Sequence, residues 1–189
     1  FGLVRIETSL VLSEETRAKV AEVLGGKDPL LVTTVHGFTG AGSSTLTSPA
    51  FHLEEGGRKL GWKGFEGTFS YGRNMTSLEC DLSAPAMNLT GQDGVTLQMG
   101  EISFDCDLER AFDDLYLGSG ALKLASLHRS AAGNEKPMKL EQLTYAIDFG
   151  KNGDYFDMYF KVGIANMELE ELAMSDLRYE FAINHLHGP

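Results

Sequence analysis

The chain has 189 residues, 42% of them hydrophobic, enough for one sizeable domain with a core of ordinary composition. Its formal net charge of −11 disfavours phosphate backbones and anionic membrane surfaces as partners, so no nucleic-acid partner is expected. No run approaches about 18 consecutive apolar residues, so no membrane span is expected within these residues. With neither an initiator Met nor a signal-peptide pattern at Phe1, the chain reads as a segment of a longer protein.

From the N-terminus, Leu3 to Leu12 alternates as a strand, with Val4, Ile6, Thr8, Leu10 and Leu12 on one side. Ser13 reads as an N-cap, and Glu14 and Glu15 follow where the helix dipole favours acid. Arg17 to Leu24 is helical, with Val20, Ala21 and Leu24 at apolar spacing, and Gly25-Gly26 ends it. Asp28-Pro29 opens a loop, Leu30 to Phe38 reads as a strand, and Gly40 to Ser44 as a flexible loop.

Beyond this point, turns predict registers, because facing residues lie equidistant from the turn centre. Gly56-Gly57 places Glu55 opposite Arg58, Leu53 opposite Leu60 and Phe51 opposite Trp62. A turn near Arg73-Asn74 pairs Phe69 with Leu78. Centring Gly91-Gln92-Asp93-Gly94 on Asp93 pairs Leu89 with Leu97, Met87 with Met99, Leu82 with Phe104, Cys80 with Cys106 and Leu78 with Leu108. The apolar positions are odd near this turn and even beyond it. Both strands change phase together, at Pro85-Ala86 and Gly100-Glu101, so a matched kink is expected there. Glu109 to Asp114 reads as one helical turn, and Leu115 to Leu127 as a strand. A two-residue Asn152-Gly153 turn pairs Phe149 with Phe156, Ile147 with Met158, Tyr145 with Phe160 and Leu143 with Val162, all on one face. Leu177 to Ile183 is the last strand.

The expected fold is mainly β (α+β): a long, twisted antiparallel β-meander with one substantial N-terminal helix, forming a single domain over residues 1–189. A helix of about three turns cannot cover the apolar face of such a sheet. The sheet must curl on itself, pack on a second copy, or hold a lipid or an apolar protein segment. The candidate binding or interface face is Tyr145, Ile147, Phe149, Phe156, Met158 and Phe160, with the face from Leu78 to Leu108 beside it.

Candidate chemistry is sparse. Cys80 and Cys106, the only cysteines, face each other in the expected register. In a non-hydrogen-bonded pair they are close enough for a disulfide; a reduced, buried pair is the alternative. His185 and His187 share a strand face, but no third ligand accompanies them, so no metal is expected. His36 alternates with apolar neighbours and reads as a satisfied strand residue. Ser43 and Ser44 follow Gly40-Ala41-Gly42 without a phosphate-loop or nucleophile-elbow motif. Asp105, Asp107, Asp113 and Asp114 lack the order of a calcium loop and read as a solvated face. No catalytic residue and no cofactor site is expected.

Four stretches together resemble the YdgA-like family of bacterial envelope proteins. They are DPLLVTTVHGFTG from Asp28, the Ser48-Pro49-Ala50 segment, LGWKGFEGTFSY from Leu60, and the closing LRYEFAINHLHGP. The resemblance covers most of the chain, but Glu101 to Glu135 adds little to it. It implies a domain of unknown function, without established catalytic residues, in an internal segment of a longer protein. That protein would be periplasmic and anchored in the inner membrane by a segment outside this chain. A periplasmic location permits the Cys80–Cys106 disulfide. The expected role is non-enzymatic: binding or scaffolding through the half-apolar sheet, as a homodimer or by holding lipid or an envelope protein. A hydrolase acting on envelope material is the alternative, and would need His36 or His128 in a pocket beside a carboxylate of perturbed pKa. A purely structural spacer is the third reading.

Overall fold

The computed structural model describes residues 3–112, 115–130, 137–169 and 171–187. Among them, fourteen strands form a single antiparallel sheet, accompanied by one α-helix. In chain order these are β1 (Val4–Ser9), α1 (Glu14–Leu24), β2 (Leu31–His36), β3 (Gly42–Ser48), β4 (Phe51–Glu55), β5 (Arg58–Trp62) and β6 (Phe65–Tyr71). They continue with β7 (Ser77–Ala84), β8 (Met87–Thr90), β9 (Thr96–Met99), β10 (Ile102–Phe112), β11 (Leu115–Arg129), β12 (Met138–Asn152), β13 (Tyr155–Leu169) and β14 (Leu172–His187).

The helix begins and ends as its sequence requires. Ser13 Oγ accepts the Thr16 N–H at 3.2 Å, and Gly25 closes the C-terminus in the left-handed conformation. The first strand is shorter than the alternation suggests, ending at Ser9, and Val11 is almost fully exposed.

The sheet is a meander folded across one transverse crease. β3 with β6 and β4 with β5 are two halves of one long hairpin: Ser48 pairs with Phe65 and Phe51 with Trp62, leaving Pro49-Ala50 opposite Lys63-Gly64. β7 with β10 and β8 with β9 repeat this, with Pro85-Ala86 opposite Gly100-Glu101. Both the Cys80–Cys106 register and the matched kink are therefore present. The line continues where no proline or paired gap marks it. Pairing of β11 with β12 passes over Ala125 and Gln142, that of β12 with β13 over Gln142 and Ala165, and that of β13 with β14 over Ala165 and Asp176. Gln142 and Asp176 both take φ of 52°. Backbone bonds bridge the line, including Gly100 N–H to Ser126 O at 2.8 Å and Ala125 N–H to Glu101 O at 2.7 Å. In each strand the crease offsets the two-residue alternation by one, which returns the apolar set to the same side beyond it.

Four local expectations are corrected. Glu109 to Phe112 continues β10 instead of turning into a helix, because Glu109 and Arg110 pair with Leu117 and Tyr116. Asp113 and Asp114 lie outside the described residues. Ser43 and Ser44 belong to β3, since the tight turn is at Gly37–Ala41, where Gly37 N–H meets Ala41 O at 2.8 Å. The turn after β6 is longer than expected: Arg73–Met75 forms a 3-10 turn, so Phe69 pairs with Cys80 and Tyr71 with Leu78. After β12 the two-residue turn is Gly153-Asp154, not Asn152-Gly153. Gly153 has φ of 64° and occupies the first central position, as a type II′ turn requires. Tyr145 therefore faces Val162, Ile147 faces Phe160, Phe149 faces Met158 and Lys151 faces Phe156. The slide is one full pair, so all the named apolar residues stay on one face.

The sheet does not curl shut. Among the described residues, Leu24, Ala84 and Phe156 are the buried apolar side chains, and none is fully buried. The chain exposes 12585 Å². A compact monomer of its 20.6 kDa would expose roughly 8,900 Å².

Candidate apolar binding face

The face is built by register. Phe69, Cys80, Cys106, Gly120, Ile147, Phe160 and Phe181 follow one another across β6, β7 and β10 to β14, each opposite the next. The neighbouring row runs Leu46, Gly67, Leu82, Phe104, Leu122, Tyr145, Val162 and Tyr179. Beyond the crease, Phe51, Trp62, Met87, Met99, Leu127, Leu140, Met167 and Met174 form the corresponding row. The predicted group from β12 and β13 is thus one part of a much larger apolar face, beside its β14 edge. Within it, Tyr145 and Phe160 meet edge to face at 4.7 Å, and Phe149 lies 5.9 Å from Phe156. These are diagonal contacts, one pair removed from the expected register. Phe156 is 6% exposed, whereas Tyr145 is 37%, Phe104 39% and Phe181 45%.

α1 covers only one end of this face. It lies against β4, and a hollow of about 720 Å³ opens between Val20, Val23 and Leu24 of the helix and Phe51, Leu53 and Leu60 of the sheet.

Several polar groups on the apolar side are paired. Tyr71 lies over Gly42, and its hydroxyl shares a hydrogen bond with His36 Nδ1 at 2.5 Å. The Thr34 and Ser44 hydroxyls meet at 2.9 Å, and Trp62 Nε1–H donates to Ser48 Oγ at 3.1 Å. Pairing of this kind lowers the cost of keeping polar atoms on a water-poor surface. Cys80 and Cys106 are joined as a disulfide, with Cα atoms 4.9 Å apart.

The opposite side is polar. Asp81 faces Asp105 and Glu79 faces Asp107 across β7 and β10. Among the described residues, no three His, Cys, Asp or Glu side chains converge to hold a metal ion. His185 and His187 instead lie beside the Tyr155 ring, at 5.3 and 5.5 Å. His128 Nε2 lies 3.6 Å from Glu141 Oε1, the juxtaposition that a hydrolytic reading asks for. That carboxylate is already engaged: Lys139 Nζ donates to it at 2.8 Å and Asn166 Nδ2 at 3.0 Å. These bonds, Lys139 foremost, hold the Glu141 carboxyl below its ordinary value.

Asp157 was not singled out by the sequence. It sits at the shift in register between β13 and β14 and is 8% exposed. Its Oδ1 accepts the His185 N–H at 2.9 Å and its Oδ2 the Asn152 Nδ2–H at 2.7 Å. The His185 bond, then the Asn152 bond, lowers its pKa. A lowered folded-state pKa adds stability that is present above the unfolded value and lost as pH falls through the folded one. The protection factor of the His185 amide, relative to its intrinsic exchange rate, is therefore expected to fall below about pH 4. Asp157→Asn should abolish that acid-dependent step, as followed by hydrogen exchange.

The family model described as a bacterial protein of unknown function (DUF945) matches residues 1–189. No curated protein and no solved structure matches the chain. With the family model spanning it from end to end, the chain belongs to the bacterial DUF945 family.

Proposed function

We propose that this chain is a non-enzymatic, YdgA-like domain of the bacterial periplasm that holds lipid acyl chains along its apolar sheet face. In this reading a segment outside residues 1–189 anchors it to the inner membrane. The observation that carries the reading is a single-layer sheet with one apolar side that its own helix covers only at one end. Exposed apolar area of this extent marks a surface with an occupant. An acyl chain suits it, being flexible enough to follow a long, creased row of Leu, Met and Phe side chains and needing no polar partner. The disulfide across the middle of the face fits an oxidising compartment.

The test is native mass spectrometry of protein drawn gently from an envelope fraction, followed by denaturing lipid analysis. The expected result is stoichiometric lipid on the wild-type chain. Phe160→Asp should remove it, because a carboxylate on the face must stay hydrated. Lipid-free wild-type protein overturns the acyl-chain reading.

A further inference from the structure

The sheet presents three edges among the described residues, and they differ. β1 is six residues long, and β4 is five residues long and lies against α1. β14 is sixteen residues long and pairs with β13 alone. A long apolar edge strand is a template for another strand, and proteins usually shorten, cover or bend such edges. β14 is bent at two points, Asp176 with φ of 52° and His185 with φ of 62°. Between them the edge is regular. Tyr179 is 57% exposed, Phe181 45% and Leu177 41%, all on the apolar side.

The charges on the other side of β14 are unequal in their pairing. Glu180 faces Lys161, 3.7 Å away. Arg178 faces Gly163, which supplies no counter-charge. We propose that β14 is a self-pairing edge: two copies of the chain join antiparallel through it, centred on Tyr179.

Within the regular stretch between the two bends the register follows from exclusion; centring on Leu177 sets Arg178 against Asp176, which lies at the bend itself and is passed over by the strand pairing. Keeping both apolar sides together requires Leu177, Tyr179, Phe181 and Ile183 to face members of the same set. Centring on Arg178 sets two arginines opposite each other, and centring on Glu180 sets two glutamates opposite each other. Both are unfavourable. Centring on Phe181 places Glu180 against Ala182 and forms no ion pair. Centring on Tyr179 places Arg178 of each copy against Glu180 of the other, and Leu177 against Phe181. The row of alternating charge then runs Lys161, Glu180, and Arg178 of the second copy. The apolar faces of the two copies merge into one. The inference rests on the edge, not on what occupies the face, and so stands or falls apart from lipid binding.

Sedimentation velocity over rising concentrations of the chain should show a dimer. Arg178→Glu and Glu180→Arg should each weaken it by about tenfold, since both ion pairs become repulsive. An equimolar mixture of the two variants should recover dimer, because each altered charge then meets its opposite on the other variant. The mixture contains the same chains, so recovery separates pairing from misfolding. Under mild oxidation Tyr179→Cys should cross-link to itself and Phe181→Cys should not. A monomer at every concentration, a dimer indifferent to both charge reversals, or a mixture no tighter than its components overturns the proposal.

Discussion

Replacing Cys80 and Cys106 together by Ala is expected to lower stability by about 3.5 kcal/mol, from the chain entropy of the closed loop. The two residues are 26 apart in sequence and directly opposite across β7 and β10. For a chain of this length the loss corresponds to a fall in Tm of about 7–14 °C. The effect matters because the usual source of stability is thin: among the described residues no side chain is fully buried. A cross-link between the central strands offsets what a single-layer sheet lacks in core. Thermal melts of the oxidised chain, the reduced chain and the double variant check it. The last two should coincide, and a variant melting with the oxidised chain would show that the bond is energetically idle.

Gly118→Ala is expected to cost more than about 3 kcal/mol, combining a forbidden backbone conformation with a steric clash. Gly118 sits inside β11 at φ of 133°, between Leu108 of β10 and Phe149 of β12. A Cβ there would sit against Asp107 O and 3.0 Å from Leu108 Cα, both backbone atoms that cannot swing aside. Gly120, two residues on and on the same face, offers the control. A Cβ at Gly120 meets Asp105 O at 3.5 Å and Ile147 Cγ2 at 3.7 Å, ordinary contacts. Gly120→Ala should therefore melt close to wild type, while Gly118→Ala should lose the β10–β11 pairing. Equal denaturant midpoints for the two variants would contradict this account.

Several parts of this architecture are legible in residues alone, for identifiable reasons. The Leu78-to-Leu108 hairpin is readable because the phase change at Pro85-Ala86 has a counterpart at Gly100-Glu101, so two independent signals agree on one register. The helix is readable from Ser13, Glu14, Glu15 and Gly25, which act locally. The Gly153 turn misleads because Asn-Gly favours a type I′ turn, while the observed type II′ needs only the glycine. Glu109 to Phe112 misleads because its partners, Leu117 and Tyr116, outweigh a weak local preference. The crease in β12 to β14 leaves no sign at Gln142, Ala165 or Asp176. None is Pro or Gly, and each yields to a fold line imposed by neighbouring strands.

By itself the sequence determined which side chains share a side and most of which strands meet, because alternation and turn chemistry are local and periodic. Whether that side would be closed was decided only by the tertiary structure. Period-two alternation marks a surface as apolar without saying what lies over it. The answer depended on where the one helix docks, whether the sheet bends far enough to meet itself, and which edge is left unpaired. α1 docks at β4, the crease bends the sheet without closing it, and β14 remains open along its outer side. The apolar row that includes Ile147 and Phe160 is therefore a surface and not a core.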